Sequence, residues 1–207
     1  GVYTFCMCPG GVVINAASEP GGVVTNGMSW SGRAGRNANS ALLVSVSPAD
    51  FPCPGPLGGL EWQRQLERRA FEYAGGGYLA PAQLVSDFLA GRASDGPGRV
   101  EPSIKPGVYW GDLRRVLPGL VTESMAEALP LLGRKLRGFD SGDAVLTGPE
   151  TRSSSPVRIP RDKGCCSAVR GLYPCGEGAG WAGGITSAAV DGMRCAEAVI
   201  AAVEAGK

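Results

Sequence analysis

The sequence predicts an α+β fold: an antiparallel sheet built as a hairpin meander, helices packed on it, and a strand–Gly turn–helix unit at the C-terminus. Three observations carry this expectation. Four short apolar runs with tight-turn residues between them fill most of the first 46 positions. Amphipathic helical spacing follows between residues 60 and 136. The chain then closes on a glycine-dense turn between a short apolar run and a long helical pattern.

Val2–Cys8, Val12–Ala17, Val23–Met28 and Ala41–Val46 are rich in β-branched and apolar residues and read as strands. Pro9-Gly10-Gly11 and Glu19-Pro20-Gly21-Gly22 supply turns between them. Short connections make neighbours antiparallel, because parallel pairing needs a crossover of a dozen residues or more. Between the third and fourth strands lies SWSGRAGRNANSA, with Arg33 and Arg36 in a Gly/Asn/Ser-rich loop. Guanidinium forks there suit a carboxylate or phosphate, and a solvated loop would have the same composition.

DFPCPGPLGG, residues 50–59, is a breaker-rich connector. Residues 60–74 place Trp62, Leu66, Ala70 and Tyr73 on one face, opposite Glu61, Arg64, Glu67 and Arg68, which predicts a surface helix ended by Gly75-Gly76-Gly77. Residues 81–89 read as a short helix with Pro81 in its first turn, and 91–107 as a polar loop. Proline inside a helix costs about 3 kcal/mol, so residues 119–136 are expected as two helices broken near Pro130. Residues 144–147 and 156–159 read as strands around Glu150-Thr151-Arg152-Ser153-Ser154-Ser155. Those hydroxyls, with Arg152 and Arg158, suit recognition of a carboxylate or carbonyl. The alternative is a serine-rich turn with a surface ion pair, worth at most ~1 kcal/mol.

Residues 172–175 are short enough for a buried strand, and from Ile185 apolar residues return at Ala189, Met193, Ala196, Ile200 and Val203. Between them stand Gly176, Gly178, Gly180, Gly183 and Gly184, which let backbone N–H groups approach a ligand closely. The start of the helix offers unpaired N–H groups and the positive end of its dipole.

This stretch, GLYPCGEGAGWAGGITSAAVDGMR, resembles the C-terminal flavin motif of FAD-dependent dehydrogenases in the glutathione-reductase-like superfamily. VYTFCMCPGG, the NGMS-to-NANSA region and ETRSSSPVRI resemble the same bacterial group, so the likeness spans nearly the whole chain. It implies that Gly176 and Glu177 meet the ribityl chain, and that Gly183, Gly184 and Ile185 face the pyrimidine edge of the flavin. It also implies a substrate-side role for Cys8, Arg33, Arg152 and Arg158. No early strand carries G-x-G-x-x-G, the signature of a dinucleotide-binding half, and the chain opens without Met. Residues 1–160 are accordingly expected to be a substrate- or cap-type domain, and 161–207 an element of an FAD-binding domain whose N-terminal half is the missing partner. These residues alone are expected to be inactive and to take up little FAD. The alternative is a non-catalytic interaction domain in which the glycine turn only packs the helix closely.

Composition narrows the classes. A net charge of +1 and 19% charged residues create no field for nucleic acid or a membrane surface, and no apolar run reaches the ~18 residues that span a bilayer. A cytoplasmic location is expected, with a small-molecule substrate for the longer protein. Seven cysteines form an odd set without C-x-x-C, and histidine is absent, so neither a disulfide framework nor a metal site is expected. Cys6 and Cys8 share a strand face and read either as small buried hydrophobes or as a thiol facing flavin or substrate. Without histidine, any general acid or base must be Glu, Asp, Lys, Tyr or Cys, Glu150 and Tyr3 among them.

Overall fold

The computed structural model describes residues 1–206. It is α+β, with two three-stranded sheets and four α-helices. The chain divides into two compact units, Gly1–Asp50 with Gln63–Thr151, and Phe51–Trp62 with Arg152–Lys207. The second unit therefore includes residues 152–160, which the sequence reading grouped with the first part.

The first unit opens on β1, Val2–Asn15, which pairs antiparallel on one edge with β2, Thr25–Ser29, and on the other with β3, Asn37–Val44. The two expected N-terminal strands are thus one strand. Pro9-Gly10-Gly11 does not turn the chain; it is absorbed as an irregularity, with register shifts between Phe5 and Cys8 and between Cys8 and Gly11. A bulge tolerates both a missing N–H and a left-handed residue, and Gly10 has φ 57°. The hairpin of β1 and β2 forms as expected, but β3 joins the free edge of β1 instead of extending past β2.

The second sheet has the order β5-β4-β6, from β4, Ala80–Leu84, β5, Val108–Trp110, and β6, Val145–Thr147. The sequence reading took residues 81–89 as a helix. Instead Ala80–Gln83 are buried in a central strand, and only Val85–Leu89, α2, is helical. Pro81 forfeits one ladder donor but keeps its acceptor, its carbonyl accepting from the Gly148 N–H at 3.1 Å, and the burial of the strand outweighs the loss. Nothing local marks Ala-Pro-Ala-Gln-Leu as a strand, and β5 follows directly on the expected 91–107 loop.

Helix α1, Gly58–Tyr73, buries Leu66 and Ala70 of the expected apolar stripe. Glu67, expected on the polar face, is also buried, at 2% exposure, where it accepts from Thr151 Oγ1 at 2.6 Å. The division between the units falls inside this helix. Helix α3, Gly119–Lys135, is continuous through Pro130, against the expected break. Packing outweighs the proline. Met125 and Leu129 are buried with Val85 and Phe88, against Leu42, Val121 and Leu146. Burying two such side chains contributes about 3–6 kcal/mol, comparable with or above the ~3 kcal/mol cost of the ring. A second cluster joins Val23, Ala70, Ala80, Ile104 and Val116.

In the second unit, residues 172–175 and 156–159 form no strand, contrary to expectation. Pro174 cannot donate to a ladder, and the backbone bonds here are isolated ones, such as Ile159 N–H to the Ala179 carbonyl at 3.1 Å. Helix α4, Ile185–Ala205, forms as expected but presents another face to its own unit. Asp191 and Cys195 are buried at 8% and 3% exposure, whereas Met193, Ile200 and Val203 are 66%, 58% and 59% exposed. Among the described residues no helix is long and apolar enough to cross a membrane.

Candidate functional site

The glycine turn of the second unit is held by charge and hydrogen bonds, not by a sheet. Arg161 donates to both carboxylate oxygens of Asp191, at 2.9 and 2.6 Å, and to the Pro174 carbonyl at 2.8 Å. Asp191 in turn accepts from the Gly176 N–H at 2.9 Å. One ion pair therefore fastens the entry of the turn to the second turn of α4. The side chains of both partners are about nine-tenths buried, where such a bond is strong because water does not compete for it. The Arg161 hydrogen bond, followed by that from Gly176, lowers the Asp191 carboxyl to about 2.

Trp181 closes the turn from the other side. Its N–H donates to the Gly176 carbonyl at 3.0 Å, and its indole N–H donates to the Ile159 carbonyl at 2.9 Å. The guanidinium groups of Arg161 and Arg158 lie 4.0 and 4.6 Å from its ring centre, cation–π contacts that fix the ring plane. Arg158 also donates to the Gly180 carbonyl at 2.9 Å. Gly180 has φ 77°, and a Cβ there would strike the Val157 carbonyl, so the close approach of the 155–159 segment requires glycine.

This framework leaves three features open. Glu177, half-buried, holds its backbone in the turn through the Gly180 N–H at 2.8 Å, while its carboxylate has no partner among the described residues. Gly178 and Gly183 have no atom within 4 Å of where a side chain would begin. Ile185, the first residue of α4, is 90% exposed, and the first N–H groups of a helix have no acceptor within it. Gly184 itself donates to Ser187 Oγ at 3.1 Å, which orders the start of the helix. The turn thus offers a carboxylate suited to hydroxyl groups, together with open glycines and helix-start N–H groups suited to an electron-rich edge. Gly176, Glu177, Gly183, Gly184 and Ile185 thus lie on one turn.

The remaining candidates are divided between the units. Arg158 packs on Trp181 as described, and Arg152, half-buried, has a partner of its own. Cys8 and Arg33 belong to the first unit. Cys8 is half-buried in β1 opposite Asn39 of β3. Arg33 is exposed with φ 47°, and the neighbouring Gly35 N–H donates to the Gly10 carbonyl at 2.9 Å, folding the loop onto the β1 irregularity. Arg36 pairs with Glu101 at 2.9 Å, both exposed.

Near Cys8 stand two groups of further interest. Burial pushes the Glu150 carboxyl above its usual range, and its side chain has no partner among the described residues. Burial also pushes the Cys6 thiol up, with negative charge at Cys8 and Glu150 adding to the effect. Cys6 has φ 53° at the first β1 irregularity. Among the described residues no group of three or more Cys, Asp or Glu side chains is placed to hold a metal ion.

Sequence reasoning missed Arg161, Trp181, Asp191 and Cys195. One signal was available for Asp191, an acidic residue within the apolar helical run SAAVDGM. Nothing in the sequence paired it with Arg161.

Comparison with known proteins bears on this geometry. The family described as "FAD-dependent protein, C-terminal domain-like" matches residues 1–153, ending before the glycine turn. An uncharacterised protein of Clostridium beijerinckii is 51% identical over 201 residues, 97% of this chain but 38% of its own length. The chain therefore spans well under half of that relative, and FAD is the cofactor that the family associates with the full-length protein. The chain belongs to the family of FAD-dependent protein C-terminal-domain-like sequences.

Proposed function

We propose that this chain is the C-terminal portion of an FAD-dependent oxidoreductase of the dehydrogenase type, with the glycine turn as the flavin-facing element of the longer protein. The observation that carries this reading is the unpartnered Glu177 carboxylate beside an ordered but open helix start. Gly176 and Glu177 would meet the ribityl chain, and Gly183, Gly184 and Ile185 the pyrimidine edge. Bound FAD supplies hydride or electron transfer. The helix-start N–H groups stabilise negative charge at the ring edge they face, and the Arg161–Asp191 pair keeps them in place.

Residues 1–160 make up the substrate side in this reading. Cys8 and Arg33 in the first unit, and Arg152 and Arg158 in the second, are each candidates for contact with a substrate carboxylate or carbonyl. Residues 161–207 belong with an FAD-binding region elsewhere in the polypeptide. The exposed apolar stripe of α4 supports this, because Met193, Ile200 and Val203 find no cover in their own unit. Occupancy by the rest of the polypeptide accords with the relative's additional length.

Flavin content of the purified full-length protein tests the assignment. Glu177→Arg or Gly184→Glu is expected to reduce bound FAD at least tenfold while the circular dichroism spectrum is retained. Full flavin content in both variants would remove the turn from the cofactor site.

A further inference from the structure

Helix α4 carries two apolar faces, and only one of them is used by its own unit. The inner face holds the buried Asp191 and Cys195, flanked by the half-buried Ala188 and Ala198. On the outer face Ala189, Met193, Ala196, Ile200 and Val203 recur at intervals of four, three, four and three residues, and all five are exposed. Ile185 extends the row to the first turn of the helix. With 3.6 residues per turn, this row occupies roughly 80° of the helix circumference. A helix lying on a sheet or a broad core presents about 100° or more, whereas a narrower seam with alternating three- and four-residue steps takes one other helix. Glu197 and Glu204, both exposed, run along one border of the seam, and Gly192 and Val199 along the other. Two carboxylates on one border favour Lys or Arg in the facing positions.

We propose that this seam receives one amphipathic helix from the part of the polypeptide outside these 207 residues, with apolar side chains at matching intervals and Lys or Arg beside Glu197 and Glu204. The assignment rests on the reading of residues 161–207 as part of a longer flavoprotein, and it gives the covering segment a form and a charge. Length supplies the source, because the 51% identical relative holds the matching residues in only 38% of its own chain. Ala189 and Ala196 leave room between Met193, Ile200 and Val203 for the larger side chains of a facing helix. A second copy of α4 fits the charge poorly. In a parallel pair Glu197 and Glu204 would face the uncharged border of Gly192 and Val199. In an antiparallel pair they would face each other, carboxylate against carboxylate. Arg194, the basic residue of α4, lies away from the seam, one position beyond Met193.

The test uses the full-length protein and two readouts that need no flavin. The first is oxidation of Met193 by hydrogen peroxide in the unsubstituted protein, followed by peptide mass mapping. Met193 is expected to oxidise roughly tenfold more slowly in the native protein than in the same protein unfolded in urea. Equal rates would overturn the proposal, because an uncovered seam leaves that sulfur open. The second readout is photo-crosslinking from p-benzoylphenylalanine placed singly at Met193 and at Ile200. Helices lying side by side both advance about 1.5 Å per residue, so the two probes should capture residues about seven apart in one segment outside these 207 residues. An extended segment advances about 3.3 Å per residue, so capture at points about three apart would overturn the helix. Capture of a second copy would overturn the source. Changing Glu197→Lys and Glu204→Lys together is expected to speed Met193 oxidation several-fold, and an unchanged rate would overturn the charge pairing. Because oxidation is read in the unsubstituted protein, a folding defect in a variant does not obscure it. Full flavin content in Glu177→Arg beside a protected Met193 would remove the turn from the cofactor site and leave the seam standing.

Discussion

Arg161 and Asp191 meet in a two-point ion pair, and the same carboxylate accepts the Gly176 N–H, so the entry of the glycine turn and the second turn of α4 move as one piece. The pair predicts a specific acid sensitivity. Its folded-state value near 2 lies below the ordinary 3.8, so Asp191 contributes stability that is fully present above about pH 4. That contribution is lost as pH falls through 2. Thermal melts of wild type and Asp191→Asn should differ most at pH 7 and converge by pH 2, with the variant lower at neutral pH. Equal melting temperatures at pH 7 would show that the pair does not hold the unit together.

Leu129 and Pro130 make opposite predictions one residue apart. Leu129 is almost fully buried among Val85, Phe88 and Met125, so Leu129→Ala should destabilise the protein by about 2–5 kcal/mol in urea unfolding. Pro130→Ala restores a backbone donor within a continuous helix and should stabilise by up to about 3 kcal/mol. A Pro130→Ala variant less stable than wild type would mean that the ring packs productively.

Glu150 is a carboxyl held above its usual range by burial. A raised acid binds its proton more tightly in the folded state, so stability is greatest below the unfolded value of 4.5 and declines as pH rises through the higher folded one. Glu150→Gln should therefore raise the melting temperature at pH 8 and confer no advantage at pH 4. It should also speed alkylation of Cys6 by iodoacetamide near neutral pH a few-fold, because a negative charge acting on that thiol is removed. An unchanged alkylation rate would separate the two groups.

On α4, Ile200→Asp and Val203→Asp alter side chains that are more than half exposed. Unfolding of the 207-residue chain should shift by no more than about 0.5 kcal/mol. In the full-length protein the same changes should lower flavin content, if the rest of the polypeptide covers this stripe. Unchanged flavin content would mean that the stripe is not covered by the cofactor-binding region.

The sequence by itself determined the α+β class, the antiparallel strands near the N-terminus, the course of α1 and the position of α4 behind its glycine turn. Each is written in a window of ten to twenty residues, where periodicity and turn chemistry are sufficient. Tertiary structure decided the rest. Burial made Ala80–Leu84 a central strand despite Pro81, and the packing of Met125 and Leu129 carried α3 through Pro130. It also reversed the reading of α4, where Asp191 and Cys195 turn inward because Arg161 meets them there, leaving Met193, Ile200 and Val203 outside. A charge whose partner lies 30 residues away has no local signature, because its environment is set only when the chain has folded.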